Sequence, residues 1–175
     1  MSEPFRIAWS WRPRPRPEKF SEKDYTDASE LYMGLRQLLA NTIGSFTLEF
    51  GPLRLEFEID PDLSIVFEDL PGLLQALATG QGAIPKLYFA EQGTDLKLLF
   101  DRQGDDLAVR FQKGYSVGEG FANLPEAAPA VSAATFASEW TRFLREVLDE
   151  IISVRPGVKD DESYEEFEAA LAPSA

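Results

Sequence analysis

The chain contains no cysteine and no histidine. The first absence removes disulfides, thiolate metal sites and thiol nucleophiles; the second removes the commonest metal ligand and the side chain best suited to move protons near neutral pH. No apolar run approaches the roughly 18 residues that a membrane helix needs. Charge and proline occupy the first residues, where a secretory leader would need an apolar stretch, so the sequence predicts a cytoplasmic protein with no membrane span and no cofactor. Basic residues are scarce: 17 Lys and Arg face 30 Asp and Glu, a net charge of −13 that repels nucleic acid phosphate.

What remains is enough for a core. With 175 residues, 44% of them hydrophobic and 12% aromatic, the chain reads as a single folded domain over residues 1–175 and not as an acidic disordered segment. The charge is uneven. Residues 1–23 hold six basic side chains against three acids, a balance of +3, which leaves −16 for the rest.

Phe5, Ile7, Trp9 and Trp11 alternate with polar or small residues and predict an opening strand, which Pro13 ends. Arg12 to Pro17 alternates arginine and proline, so residues 12–20 are expected as an extended, stiff connector along the acidic body. Ser21 and Asp24 suggest a cap for a helix to about Asn41, with Gly44 as its stop. Between Phe46 and Glu68 apolar residues fall on alternate positions in three runs: Phe46, Leu48 and Phe50; Leu53, Leu55, Phe57 and Ile59; Leu63, Ile65 and Phe67. A side-chain period of two places these on one face of a meander. The intervening Glu49, Glu56, Glu58 and Glu68 form a carboxylate-rich outer face.

A short helix capped at Asp69 follows, then strands over Lys86 to Ala90, Asp95 to Arg102 and Asp106 to Gln112. Gly114 to Ala134 reads as an irregular loop. The strongest helical stripe is Phe136, Trp140, Phe143, Leu144, Val147, Leu148 and Ile151, which predicts a helix over residues 132–154. Residues 158–175 form an acidic C-terminal tail with one short helix. The expected architecture is α+β: an antiparallel sheet of about six or seven strands, its apolar face covered by the N-terminal helix and the long C-terminal helix.

No motif names a chemistry. Gly114-Tyr115-Ser116-Val117-Gly118 matches the nucleophile elbow of α/β-hydrolases, but there is no histidine to act as base and no helix is expected to begin at Gly120. Asp60-Pro61-Asp62 starts like a calcium loop but carries Ile65 where the required glycine belongs. Glu56 and Glu58, two apart on a strand, place carboxylates roughly 6–7 Å apart, a spacing that serves glycosidases and equally an ordinary wet sheet face. From Glu146 to Ala175 nine acids face two bases, and Tyr164 and Phe167 could share a helix face ringed by carboxylates.

In size, acidity and lack of catalytic residues the chain is similar to the immunity proteins of bacterial toxin–immunity pairs, small acidic domains that block a basic toxin domain. The resemblance implies a non-enzymatic protein that binds a basic partner. The candidate contacts are Glu49, Glu56, Glu58 and Glu68 on the sheet, with Asp160, Asp161, Tyr164, Glu165 and Phe167 in the tail. Two other classes stay open: a structural or adaptor subunit that uses Trp9 and Trp11 on an edge strand beside the Arg-Pro arm, and a hydrolase working through outer-face carboxylates.

Overall fold

The computed structural model describes residues 2–80 and 82–172. The chain runs β1 (Phe5–Pro13), α1 (Glu30–Asn41), β2 (Thr42–Phe50), β3 (Leu53–Glu58), α2 (Ser64–Val66), α3 (Leu70–Thr79), β4 (Leu87–Phe89), β5 (Leu96–Gln103), β6 (Asp106–Lys113), α4 (Glu119–Ala122), β7 (Val131–Ser132), α5 (Ala133–Val154) and α6 (Glu162–Leu171). The class is α+β. The strands do not make the single broad sheet expected from the sequence; they form two antiparallel sheets, β1-β2-β3 and β4-β5-β6-β7. Between them lies one bridge, where the Glu3 amide donates to the Ala130 carbonyl at 2.8 Å.

Helix α5 occupies the centre because its stripe is apolar from Phe136 to Ile151. Phe136, Trp140, Phe143, Leu144, Val147, Leu148 and Ile151 are all buried. Its aromatic side meets the three-stranded sheet: Phe136 packs on Phe5 at 4.6 Å between ring centres, and Phe143 on Phe46 at 5.4 Å. Helix α1 lies chiefly on α5, not on the sheet. They meet at Gly34, where an added Cβ would stand 2.6 Å from Ile151 Cγ2.

The third run of the expected meander is not a strand. After β3 the chain makes a wide turn (Ile59–Leu63), then α2, then another tight turn over Phe67–Asp69. Leu63, Val66, Phe67 and Leu70 are buried while Ile65 is exposed. That is the i, i+3, i+4, i+7 spacing of a helical stripe, and it continues through Leu73, Leu74 and Leu77 of α3. The alternation of Leu63, Ile65 and Phe67 matched two periods at once, and burial of Val66 decided for the helical one.

Three further expectations are corrected. The first helix begins at Glu30, with Ser29 as its cap (its Oγ accepts from the Tyr32 amide at 3.1 Å), and Ser21 precedes only a short turn at Glu22–Tyr25. Gly44 does not stop that helix; it lies inside β2 opposite Trp11, where a Cβ would collide with the Ser10 carbonyl. The region after Gly114 is not wholly irregular, since it holds the single turn α4 and the short strand β7.

With no glycine to close α1, its last carbonyls are met by the Arg-Pro segment. The Arg14 amide donates to Asn41 O at 2.7 Å, the Glu18 amide to Ala40 O at 2.8 Å, and Arg14 Nε to Leu39 O at 2.8 Å. A guanidinium at a helix C-terminus also complements the helix dipole. The arginine-proline repeat thereby lies across the end of the helix.

Candidate functional site

The outer face of the three-stranded sheet carries the first set of candidate residues, and the register places them in rows. Arg6, Glu49 and Arg54 stand abreast; so do Ala8, Thr47 and Glu56, then Ser10, Ser45 and Glu58, then Arg12 and Ile43. The face is therefore not uniformly acidic: three arginines share it with three glutamates. Glu49 is neutralised, its carboxylate 3.1 Å from Arg54 in the cross-strand position. Glu56 and Glu58 differ from it. Both are exposed, and neither joins an ion pair among the described residues.

The short side chains beside these two carboxylates leave a trough of about 310 Å³, lined by Ser10, Trp11, Arg12, Ile43, Gly44, Ser45, Glu56 and Glu58. Gly44 lies in this lining, where the backbones of β1 and β2 approach too closely for any side chain. Chemically the trough offers two free carboxylates along one wall, hydroxyls and backbone on the floor, and an arginine at one end. It suits a cationic group reaching in from outside.

Glu68, expected on this face, is elsewhere. It lies on the turn before α3 and accepts from Ser29 Oγ at 2.9 Å, at the start of α1. There it joins the neighbourhood of the second candidate set. Phe67 stacks on Phe167 of α6 at 4.7 Å, and Ser163 Oγ accepts the Leu31 amide at 3.2 Å.

That second set is divided by the fold. Asp161 is the cap of α6; its Oδ1 accepts the Ser163 hydroxyl at 2.5 Å and the Ser163 amide at 2.9 Å, and these local bonds hold its pKa below the usual aspartate value. Phe167, proposed as a partner anchor, is buried in the chain's own core. Tyr164 is half-buried, and burial together with nearby Glu168 and Asp149 raises its pKa. Asp160 and Glu165 remain exposed. The residues 158–175 were expected as a tail with one short helix; that helix is Glu162–Leu171, and it packs against α1 and α3.

Other polar groups that the sequence did not single out are structural. Arg36 bonds Asp60 Oδ1 at 2.7 Å and Tyr25 Oη at 3.3 Å, and Arg14 reaches the other Asp60 oxygen at 3.5 Å. Burial alone would lower the Arg36 pKa, yet the bonds to Tyr25 and Asp60 outweigh it and the net shift is upward. Asp62 is buried; it accepts the Glu58 amide and the Thr94 hydroxyl, both at 2.9 Å, and burial raises its pKa. The Asp60-Pro61-Asp62 sequence, whose start resembles a calcium loop, is the clasp that ties β3 to α1 and to the loop before β5.

The edge of β1 is also occupied. Glu139 of α5 accepts the Ile7 amide at 2.9 Å, and Arg142 donates to the Ile7 carbonyl at 2.8 Å. Trp9 donates from Nε1 to Glu146 at 3.0 Å and lies under Arg142, 4.3 Å from its ring centre. Trp9 and Trp11 thus serve the β1–α5 seam, both packing toward Phe143. The Gly114–Gly118 motif is a loop whose Ser116 offers its amide, not its hydroxyl, to Asp95 Oδ2 at 2.8 Å.

Together the fold and this surface define a small α+β protein with an acidic-walled trough on a sheet face. No family model, no curated protein and no solved structure gives a significant match to the chain. Among the described residues no helix is long and apolar enough to cross a membrane.

Proposed function

We propose that the chain is a non-enzymatic binding protein that neutralises a basic protein partner, in the manner of an immunity protein acting on a toxin domain. The observation that carries this reading is the pair Glu56 and Glu58, two uncompensated carboxylates on the wall of an open trough whose floor is made of small residues. Every other part of the reading is supporting. A net charge of −13 draws a cationic partner in and speeds encounter at low salt. The sheet beneath presents the carboxylates on an ordered backbone, which lowers the ordering cost of binding. Glu49 contributes less than the sequence suggested, because Arg54 already holds it.

The test is protection. A cell expressing the product of the adjacent gene is scored for growth with and without this chain. Restored growth and co-purification are expected for the wild-type protein, and loss of both for the Glu56→Lys/Glu58→Lys double variant with an unchanged melting temperature. Equal growth in the presence and absence of the chain sinks the proposal.

The adaptor reading loses its motivation. Its edge strand is covered at Ile7 by Glu139 and Arg142, and its tryptophans are engaged with α5.

A further inference from the structure

We propose that the trough is one half of a larger surface whose other half is the loop Gly114–Gly118, with Tyr115 as its aromatic anchor, and that this surface takes a basic segment carrying an apolar residue. The proposal rests on the binding reading above.

Continuity of the two halves is the first ground. A cleft of about 470 Å³ on the outer side of the sheet is lined by Thr47, Arg54 and Glu56 from the strands and by Gly120 and Phe121 from α4. Phe121 holds α4 beside β3 by stacking on Phe57 at 5.2 Å, on the face of the strand opposite to Glu56 and Glu58. The loop that bears Tyr115 leads directly into α4, which forms one wall of this cleft.

The second ground is exposure. Tyr115 is fully exposed at 109%, whereas the only other exposed large hydrophobic residue among those described, Ile65, is at 37%. A single exposed aromatic is ordinary on a flexible loop. This loop is held. Ser116 O accepts the Gly93 amide at 2.9 Å, Gly93 O accepts the Gly118 amide at 2.8 Å, and Asp95 takes the Gly114 amide on its carbonyl and the Ser116 amide on its carboxylate, both at 2.8 Å. Tyr88 Oη and the Lys113 ammonium brace the same region, bonding Asp95 at 3.0 Å and Ala122 O at 2.8 Å.

The third ground is what the chain gives up to hold it. Asp95 is the one described non-glycine residue with positive φ, at 36°, a conformation that costs roughly 1–3 kcal/mol. Gly114 admits no Cβ because the Asp95 carboxylate fills that space, and Gly118 none because of the Gly93 carbonyl. A rigid aromatic side chain loses little entropy on binding, which is why tyrosine dominates binding hot spots. Its ring face also accepts a lysine or arginine, so the anchor and the carboxylates select the same cationic ligand. Arg54, tied to Glu49 on the neighbouring strand, sets the limit of the acidic strip on that side.

The probe is a displayed library of random twelve-residue peptides, selected on the wild-type protein. Peptides that enrich are synthesised and titrated against the wild type, Tyr115→Ala, Glu56→Gln/Glu58→Gln and the control Ile65→Ala, each with its melting temperature. Enriched peptides are expected to be basic with at least one apolar residue, to lose about tenfold or more in affinity with Tyr115→Ala, and to bind Ile65→Ala as the wild type. The carboxylate variant weakens binding and flattens its salt dependence. Unchanged affinity with Tyr115→Ala, beside loss in the carboxylate variant, overturns the anchor and leaves the binding reading standing. Loss with Tyr115→Ala alone overturns the joint surface. No enrichment, or affinity unaffected by either variant, overturns both.

Discussion

Gly34 of α1 and Ile151 of α5 are in contact at a distance that leaves no room for a side chain: a Cβ at position 34 would stand 2.6 Å from Ile151 Cγ2. Ile151 is β-branched and stiff, so it cannot turn that methyl aside cheaply. Gly34→Val is expected to cost about 1–3 kcal/mol through overpacking, read as a lower melting temperature. Gly34→Ala costs less, because alanine returns about 1 kcal/mol of helix propensity. Pairing Gly34→Val with Ile151→Ala relieves the clash, and the two changes are then non-additive in denaturant melts; strict additivity would show that the helices do not meet there.

Phe167 stacks on Phe67 with ring centres 4.7 Å apart and is 4% exposed. Phe167→Ala is therefore expected to destabilise the fold by about 3–5 kcal/mol, as core aromatic truncations do. Glu165→Gln, on the exposed side of the same helix, shifts stability by less than about 0.5 kcal/mol. Equal melting temperatures for Phe167→Ala and the wild type would return this residue to the list of partner contacts.

Burial holds the folded-state pKa of Asp62 above that of the unfolded chain. Its titration therefore contributes stability that is fully present below the ordinary aspartate pKa and is lost as pH rises through the raised value. Asp62→Asn keeps an acceptor for the Glu58 amide and removes the titration. Relative to this variant, the wild type gains stability as the pH falls through the acid range, measured by urea unfolding at several pH values. A pH-independent difference would mean that the buried carboxyl does not titrate differently in the folded protein.

Glu139 behaves in the opposite sense. Burial pushes its pKa up, but bonds from Arg142 and the Ile7 amide outweigh this and the net shift is downward. Its contribution is present above the ordinary glutamate pKa and is lost as pH falls through the depressed value. Glu139→Ala is expected to speed hydrogen exchange at the Ile7 amide and to promote self-association at the uncovered edge of β1, seen by light scattering. An unchanged exchange rate at Ile7 would show that the edge is protected by something other than this carboxylate.

The places where the sequence was legible are those with one dominant period. Helix α5 follows from its stripe from Phe136 to Ile151, and the hairpin of β5 and β6 from alternation on each side of Gly104, which takes the positive φ of 64° that the turn requires. Strands β1 to β3 follow in the same way from Phe5 to Phe57. Leu63 to Phe67 was not legible, because so short a run fits two periods and only the continuation into α3 separates them. Gly44 and Gly34 were ambiguous for another reason: a glycine that ends a helix and one that lets two backbones approach look alike in a sequence.

The candidate site divides along the same line. Composition and alternation by themselves determined an acidic chain with a sheet whose outer face bears Glu49, Glu56 and Glu58, since side-chain period and net charge are local properties. Pairing is not local. Only the tertiary structure decided that Arg6 and Arg54 flank Glu49, that Glu56 and Glu58 are left uncompensated beside Gly44, and that Glu68 and Phe167 belong to the α1–α6 seam. Register and packing, set by which apolar residues share a core, fix which charges become neighbours.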